Sequence, residues 1–124
     1  MTQNSTVWVA DDDKSIRWVL EKALTQAGID TRSFETGDAL LAHLETGAPD
    51  AVISDIRMPG MDGLKLLSRI GDIHPGLPVI ITTAHSDLDS AVASYQGGAF
   101  EYLPKPFDVD EVVATTQRLS LIHI

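Results

Sequence analysis

The sequence predicts an α/β domain built on a doubly wound, five-stranded parallel sheet. Five short apolar runs rich in β-branched residues alternate with five segments of helical periodicity. The central runs are apolar at consecutive positions, which is typical of strands covered by helices on both faces. Because strict alternation of strand and helix gives parallel strands joined by crossovers, we expect one sheet with the strand order 2-1-3-4-5.

The elements follow from apolar runs, stop signals and turn residues along the chain. Predicted strands cover residues 6–10, 31–34, 51–54, 77–82 and 100–103. The first predicted helix, residues 15–27, carries an apolar stripe and stops at Gly28. The other predicted helices start near residues 37, 64, 87 and 108, and the fourth of them, residues 87–96, is the weakest in helix propensity. The stripe of the last helix fades after residue 117, so we expect a core of about residues 6–118 and an irregular tail at residues 119–124.

The amino-acid composition excludes several classes of function. The 124 residues form one domain, and the absence of cysteine excludes disulfides and cysteine-based metal or redox sites. A net charge of −9 argues against direct nucleic-acid binding, which requires a basic face. We also expect no membrane span and no signal peptide, in keeping with a cytoplasmic location.

Polar residues stand at the carboxyl ends of four predicted strands. They are Asp11-Asp12-Asp13 after the first strand, Asp55 after the third, Thr83 after the fourth and Lys105 after the fifth. Strand ends of a parallel sheet meet at one edge, so these groups are expected to lie together. Crowded carboxylates either acquire raised pKa values or require a cation, and hard oxygen ligands suit Mg²⁺. The sequence therefore predicts a magnesium and phosphate site with a reactive carboxylate.

Each of these residues also has a structural interpretation. Asp55 is either a turn cap or the reactive carboxylate, and the neighbouring acids favour reactivity. Asp11 and Asp12 are the better metal candidates, since Asp13 is equally suited to cap the first helix. Lys105 lies between two prolines that restrict its backbone, which favours a functional lysine.

Four further side chains are assigned from residue type and position. Thr83 is structural by default, yet its hydroxyl could reach a phosphoryl oxygen. Tyr102 is by default a half-buried aromatic residue, with a change of packing as the functional alternative. Trp8 and Trp18 are both predicted to be core aromatics.

With these residues in place, the chain resembles the receiver domain of two-component response regulators over nearly its whole length. The resemblance is carried by residues 8–13 with 15–20, by Ser-Asp-Ile-Arg-Met-Pro-Gly-Met-Asp-Gly at residues 54–63, and by residues 83–89 and 98–107. It is strongest to the receivers of sigma-54-dependent transcription activators that act in nitrogen regulation. Each motif alone is weak, but their order and spacing together are specific.

The resemblance implies a flavodoxin-like receiver fold and a phosphorylation switch. Asp55 would accept a phosphoryl group from a histidine of a sensor histidine kinase, assisted by Lys105 and Thr83. Asp11, Asp12, Asp55 and the backbone carbonyl of Arg57 would hold Mg²⁺. Tyr102, Asp87 and Leu88 would take part in the switch, in which residues 86–97 rearrange.

The resemblance also implies partners. Phosphorylation would expose an apolar face for a homodimer or for docking. Members of this subfamily continue into an ATPase domain and a helix-turn-helix DNA-binding domain, and neither lies within these 124 residues. The domain is thus expected to be a regulatory phospho-acceptor that assists its own phosphorylation and dephosphorylation, and not an enzyme acting on other substrates.

Two alternatives come from other functional classes. A phosphatase of the haloacid dehalogenase type also uses a strand-end aspartate, Mg²⁺, threonine and lysine. That class requires an Asp-x-Asp pair and usually a cap insertion, whereas Arg57 stands where the second acid belongs. A stand-alone adaptor receiver that acts only by docking is not separated from a signalling receiver by the sequence.

Overall fold

A computed structural model describes residues 5–84, 98–105 and 108–122 of the chain. Its five strands form one parallel sheet in the order β2-β1-β3-β4-β5, as the sequence predicts. The strands are β1 (Thr6–Ala10), β2 (Asp30–Phe34), β3 (Ala51–Asp55), β4 (Val79–Ala84) and β5 (Glu101–Lys105). Strands β1, β3 and β4 occupy the interior of the sheet, so their carboxyl ends lie side by side.

Four helices lie within the described residues: α1 (Lys14–Gln26), α2 (Gly37–Leu44), α3 (Gly63–Ile73) and a C-terminal helix (Val109–Ile122). The side chains of Asp13, Thr36 and Asp62 accept a backbone N–H at the amino ends of α1, α2 and α3 respectively. Such capping bonds satisfy donors that a helix leaves free in its first turn. The predicted helix 87–96 lies outside the described residues.

The core has two halves, one on each face of the sheet. On one face, which we call the α1 face, Val9, Ile53 and Ile80 pack against Leu20 of α1 and Val112 of the C-terminal helix. On the opposite face, the α2–α3 face, the sheet residues Trp8, Val52 and Ile81 pack against helices α2 and α3 through Leu40, Leu44, Leu66, Leu67 and Ile70. Successive side chains of a strand point to opposite faces, so strand position determines which half each residue joins.

Several predicted boundaries are wrong. Strand β4 ends at Ala84 rather than residue 82 and β5 at Lys105 rather than residue 103, and two further differences have a clear physical reason. Strand β4 begins at Val79 rather than residue 77 because Pro78 has no N–H, although its carbonyl accepts the Val52 N–H at 3.0 Å. The C-terminal helix continues through Ile122, so residues 119–122 are helical and not an irregular tail. Helical hydrogen bonds are local and persist where an apolar stripe has ended.

The prediction for Trp18 is also wrong, whereas that for Trp8 is confirmed. Trp8 is 8% exposed and stacks edge-on with Phe34 at 5.6 Å, but Trp18 is 59% exposed. In α1, Trp18 lies two residues from the inward-facing Leu20, which turns it to the other side of the helix. Its ring instead packs beneath Lys22, with Nζ 4.8 Å from the ring centroid.

Candidate functional site

Three carboxylates meet at the carboxyl edge of the sheet. Asp11, Asp12 and Asp55 each present an oxygen, and these oxygens all lie within 4.8 Å of one another. The cause is the pairing of β1 with β3, which aligns Ala10 with Ser54 and so brings together the residues that follow. Asp11 is 1% exposed and Asp55 is 9% exposed, while Asp12 is open to solvent.

Lys105 joins this cluster from the edge strand β5. Its Nζ lies 3.0 Å from Oδ2 of Asp11 and 3.4 Å from Oδ2 of Asp55. Strand β5 is separated from β3 by β4, so the lysine side chain must cross β4 to reach the two carboxylates. The structure thus brings Asp11, Asp12, Asp55 and Lys105 to one point, as the sequence predicts.

Burial and neighbouring charges shift the pKa values of Asp55 and Lys105. Burial raises the pKa of Asp55, and the neighbouring Asp11 carboxylate raises it further, while Lys105 and the backbone N–H of Arg57 oppose the rise. Burial alone lowers the pKa of Lys105, but its hydrogen bond to Asp11 and the charges of Asp11 and Asp55 outweigh this and raise it. One ammonium group faces three acids, so the cluster retains excess negative charge.

The loop from β1 to α1 is held by hydrogen bonds of its own. Oδ1 of Asp11 accepts the Asp13 N–H at 2.8 Å, and Asp13 in turn caps α1 by accepting the Ser15 N–H at 2.8 Å. Asp13 is not one of the three clustered acids, so the structure favours its capping role. Nη1 of Arg17 donates to the Asp11 carbonyl at 2.7 Å, which fixes the backbone of the same residue.

The loop after β3 packs directly on the strand end. A Cβ built on Gly63 would collide with the carbonyl oxygen of Asp55 and lie 2.7 Å from Cα of Ile56. Glycine is therefore required at the start of α3 for close backbone approach. The Gly63 N–H donates to the Ile56 carbonyl at 2.8 Å, closing the loop. A cavity of about 560 Å³ opens over this loop, lined by Asp12, Ile56, Arg57, Met58, Pro59, Asp62 and Leu64.

Two other predicted site residues are described. Thr83 is 2% exposed near the end of β4, where it pairs with Pro104. Strand alternation places its side chain on the α2–α3 face, together with Ile81, and thus on the opposite face from Asp55. Tyr102 is partly buried against the core of the α2–α3 face. Asp87 and Leu88 lie outside the described residues.

The donor set fits a hard divalent cation. All three candidate ligands are carboxylates, and Asp12 borders the open cavity, which leaves room for waters. Mg²⁺ prefers oxygen ligands and usually retains several waters beside one or two carboxylates. The excess negative charge of the cluster favours the same kind of ion.

Sequence reasoning missed Arg17 and Gly63. The signal for Arg17 was its place in the first turn of α1, close along the chain to Asp11. The signal for Gly63 was a glycine directly after the cap Asp62, but only tertiary packing shows that the backbone of Asp55 lies against it. Within the described ranges, no helix is long and apolar enough to cross a membrane.

Comparison with known proteins agrees with the geometry. The family model of the response regulator receiver domain matches residues 7–117. The DNA-binding transcriptional regulator NtrC of Salmonella typhimurium is 63% identical over 116 residues, which are 94% of this chain and 25% of that protein. NtrC of Escherichia coli K12 is 62% identical over the same shares of the two chains. The chain thus spans about a quarter of the length of these curated relatives.

Solved structures give the same result. The beryllofluoride-activated receiver domain of nitrogen regulatory protein C is 60% identical, with a TM-score of 0.84 and 98% of each chain covered. The apo form of the receiver domain of nitrogen regulatory protein C is 62% identical, with a TM-score of 0.86 and 95% of each chain covered. These matches favour a regulatory receiver over the phosphatase alternative. This chain belongs to the response regulator receiver domain family and is similar throughout to the receiver domains of NtrC.

Proposed function

We propose that this domain is a phosphorylation-activated switch in which Asp55 accepts a phosphoryl group from a sensor histidine kinase. One observation carries the proposal. Asp55 ends an interior strand beside Asp11 and Asp12, with the Lys105 ammonium 3.4 Å from its Oδ2. Phosphoryl transfer depends mainly on positioning and charge neutralisation, and a carboxylate held among acids and one lysine is suited to both.

In the transfer, a carboxylate oxygen of Asp55 attacks phosphorus while the bond from phosphorus to the histidine nitrogen breaks. The product is a mixed anhydride on Asp55, and the histidine nitrogen leaves with the electron pair of the broken bond. Attack needs the ionised carboxylate, which Lys105 favours against the effect of burial. Lys105, whose Nζ lies 3.4 Å from Oδ2 of Asp55, would also contact the incoming phosphoryl oxygens, and Thr83 would supply a hydroxyl if its side chain turns toward them.

Asp11, Asp12, Asp55 and the carbonyl of Arg57 would hold Mg²⁺. When bound, this ion neutralises charge on the phosphoryl oxygens. Asp11 is already fixed through both carboxylate oxygens and its backbone carbonyl. A rigid Asp11 keeps the cluster in place when the charge of the site changes.

The output is a change of surface that a partner reads. Phosphorylation of Asp55 replaces one carboxylate charge with a phosphoryl group that carries close to two, beside Asp11 and Asp12, so we expect the packing around β4 and β5 to shift. Tyr102, Asp87 and Leu88 are the proposed switch residues, and residues 86–97 the proposed moving segment. We propose, from the similarity to NtrC, that the change controls a sigma-54-dependent activator of nitrogen regulation through its ATPase domain, by docking or by a homodimer.

The test is intact-mass measurement after incubation with an acyl phosphate and Mg²⁺. The expected result is one added phosphoryl group per chain, lost in Asp55→Asn and in the presence of a chelator. Asp50→Ala is the matched control, because Asp50 stands at the opposite end of β3 and should leave labelling unchanged. A phosphoryl group that remains in Asp55→Asn, or steady turnover of the phosphodonor without a bound intermediate, contradicts the proposal.

A further inference from the structure

The guanidinium of Arg17 in α1 is largely buried and makes two contacts of unequal quality. Its side chain is 13% exposed, and Nη1 donates to the Asp11 carbonyl at 2.7 Å. Nη2 lies 3.6 Å from Oε1 of Glu35, whose side chain is 78% exposed. A short hydrogen bond from a charged donor in a shielded place is strong, whereas a long ion pair open to water is weak. The bond to the Asp11 carbonyl is therefore the stronger contact of Arg17.

Helix α1 fixes the backbone from which this side chain extends. The Arg17 N–H donates to the Asp13 carbonyl at 3.1 Å, and the Asp13 side chain caps the same helix by accepting the Ser15 N–H at 2.8 Å. Such bonds order the first turn of a helix. From this turn the Arg17 side chain reaches back six positions along the chain to Asp11. The guanidinium thus ties the end of β1 to the first turn of α1.

Asp11 has a hydrogen-bond partner at each of its polar groups. Its N–H donates to the Phe34 carbonyl at 3.1 Å, its Oδ1 accepts the Asp13 N–H at 2.8 Å, and its Oδ2 accepts Nζ of Lys105 at 3.0 Å. Arg17 completes the set at the carbonyl. Because Asp11 is 1% exposed, water cannot easily replace a partner that is lost.

These partners are not equally secure when a cation binds. Mg²⁺ takes carboxylate oxygens as ligands, so at Asp11 it would compete with the Lys105 ammonium. In the proposed reaction Lys105 also contacts the phosphoryl oxygens. The Arg17 bond is made to the carbonyl, so a cation at the carboxylate does not displace it. Arg17 can therefore hold Asp11 while its carboxylate changes partner.

From these contacts we infer that Arg17 is a positioning residue for Mg²⁺: by holding the Asp11 carbonyl, it keeps the Asp11 carboxylate beside the other two acids of the cluster. Arg17 acts through Asp11 and not on the cation itself. Groups that orient a metal ligand commonly contribute about tenfold or more to metal affinity. The inference rests on the proposed function, because it takes Asp11 as a ligand of the ion that assists the modification of Asp55.

The experiment compares four variants with the wild type. Arg17→Ala removes the bond to the Asp11 carbonyl, Arg17→Lys keeps one charged donor, and Glu35→Gln removes only the exposed ion pair. Arg118→Ala is the matched control, since it removes the same charge from the C-terminal helix, where the guanidinium is 59% exposed and lies 3.9 Å from Glu101. Mg²⁺ affinity is measured by calorimetry without phosphodonor. Labelling by an acyl phosphate is followed by intact mass at increasing Mg²⁺, and urea unfolding verifies that each variant is folded.

The expected result is a loss of Mg²⁺ affinity that excess Mg²⁺ overcomes. Arg17→Ala should bind Mg²⁺ about tenfold more weakly, and the Mg²⁺ concentration for half-maximal labelling should rise by the same factor. At saturating Mg²⁺ its labelling rate should stay within about twofold of the wild type, because the bound ion then holds the Asp11 carboxylate. Arg17→Lys should recover most of the lost affinity, since one charged donor suffices for one carbonyl. Glu35→Gln and Arg118→Ala should bind Mg²⁺ as the wild type does.

The opposite outcomes overturn the inference. They are an unchanged Mg²⁺ affinity in Arg17→Ala, no recovery in Arg17→Lys, or an equal loss in Arg118→Ala, which would make net charge the cause. An equal loss in Glu35→Gln also overturns it, because the exposed ion pair would then be responsible, as does a labelling rate in Arg17→Ala that stays low at saturating Mg²⁺. A wild type that binds Mg²⁺ but accepts no phosphoryl group contradicts the proposed function, and this result is distinct from a failure confined to Arg17.

Discussion

Two aspartates at opposite ends of β3 differ sharply in environment. Asp50 precedes the strand, is exposed, and accepts the Thr6 N–H through Oδ2 at 2.7 Å, while its own N–H donates to the Thr6 carbonyl at 2.8 Å. Asp55 ends the strand, is buried, and lies among two other carboxylates with one lysine. Asp50 thus links β3 to β1 at one end of the strand, whereas Asp55 carries an unfavourable charge at the other end.

The difference shows at which edge of the sheet a reactive carboxylate can lie. At the amino edge, solvent and a backbone donor satisfy the carboxylate, so its charge costs little and its role is structural. At the carboxyl edge, burial and the like charge of Asp11 raise the pKa of Asp55. Neutralising or sharing the charge of Asp55 therefore stabilises the folded protein. Stability is sacrificed at the site, which is a common property of functional positions.

The largest expected effect is that of Gly63→Ala, which acts on the carboxyl end of β3. Because a Cβ here meets the Asp55 carbonyl, we expect a loss of about 1–3 kcal/mol in the free energy of unfolding, as in overpacked cores, and weaker Mg²⁺ binding. The measurements are urea unfolding and Mg²⁺ titration. Gly71→Ala in the same helix is the control, since a Cβ there contacts nothing within 4 Å and should stabilise by up to about 1 kcal/mol. Equal effects of the two substitutions would disprove the close approach.

A second prediction concerns the charge of Asp55. Asp55→Asn should raise the free energy of unfolding at neutral pH by about 1 kcal/mol, because the variant lacks a buried, crowded charge. The folded pKa lies above the ordinary value of 3.8, so the folded protein binds this proton more tightly than the unfolded chain does. The contribution of Asp55 to stability therefore falls as pH rises from 3.8 through the folded pKa.

The gain from Asp55→Asn should accordingly be greatest above the folded pKa and should vanish as pH is lowered to 3.8 and beneath it. Urea unfolding of the wild type and of Asp55→Asn, from pH 3.8 to neutral pH, measures this difference in stability. A gain that is constant with pH, or a loss at neutral pH, would show that the charge of Asp55 is not the cause.

The smallest effect is expected at the amino end. Asp50→Ala should lower the free energy of unfolding by about 0.5 kcal/mol, because the Thr6 N–H loses a hydrogen-bond partner but is exposed to water. Phosphoryl labelling and Mg²⁺ affinity should stay at the wild-type level. Loss of phosphoryl labelling in this variant would contradict a purely structural role for Asp50.

Much of this protein could be predicted from local patterns. Apolar runs and stop residues located all five strands, and strand–helix alternation predicted a sheet order that the structure confirms. The meeting of Asp11, Asp12, Asp55 and Lys105 followed from a general rule about strand ends. The rule worked because the direction of a parallel strand, unlike the details of its packing, is determined by the connections on either side.

Three other features were not predicted correctly, two for local reasons and one because it depends on a contact between distant parts of the chain. Trp18 was assigned to the core because of its residue type, yet its angular position on α1 turns it outward. The end of the C-terminal helix was misjudged because backbone hydrogen bonds outlast the apolar stripe. Nothing local distinguishes Gly63 from other glycines, because the need for glycine comes from the Asp55 backbone that lies against it.

The sequence alone determined the order of the elements and the kinds of group at the carboxyl edge, because strand periodicity and turn chemistry are local. Only the tertiary structure decided which groups share a face and which find partners. Thr82 and Thr83 are adjacent and chemically identical, but the register of β4 against β3 places one beside Asp55 and the other on the opposite face. Register is set by the packing of the whole sheet, and a shift of one residue exchanges the two faces.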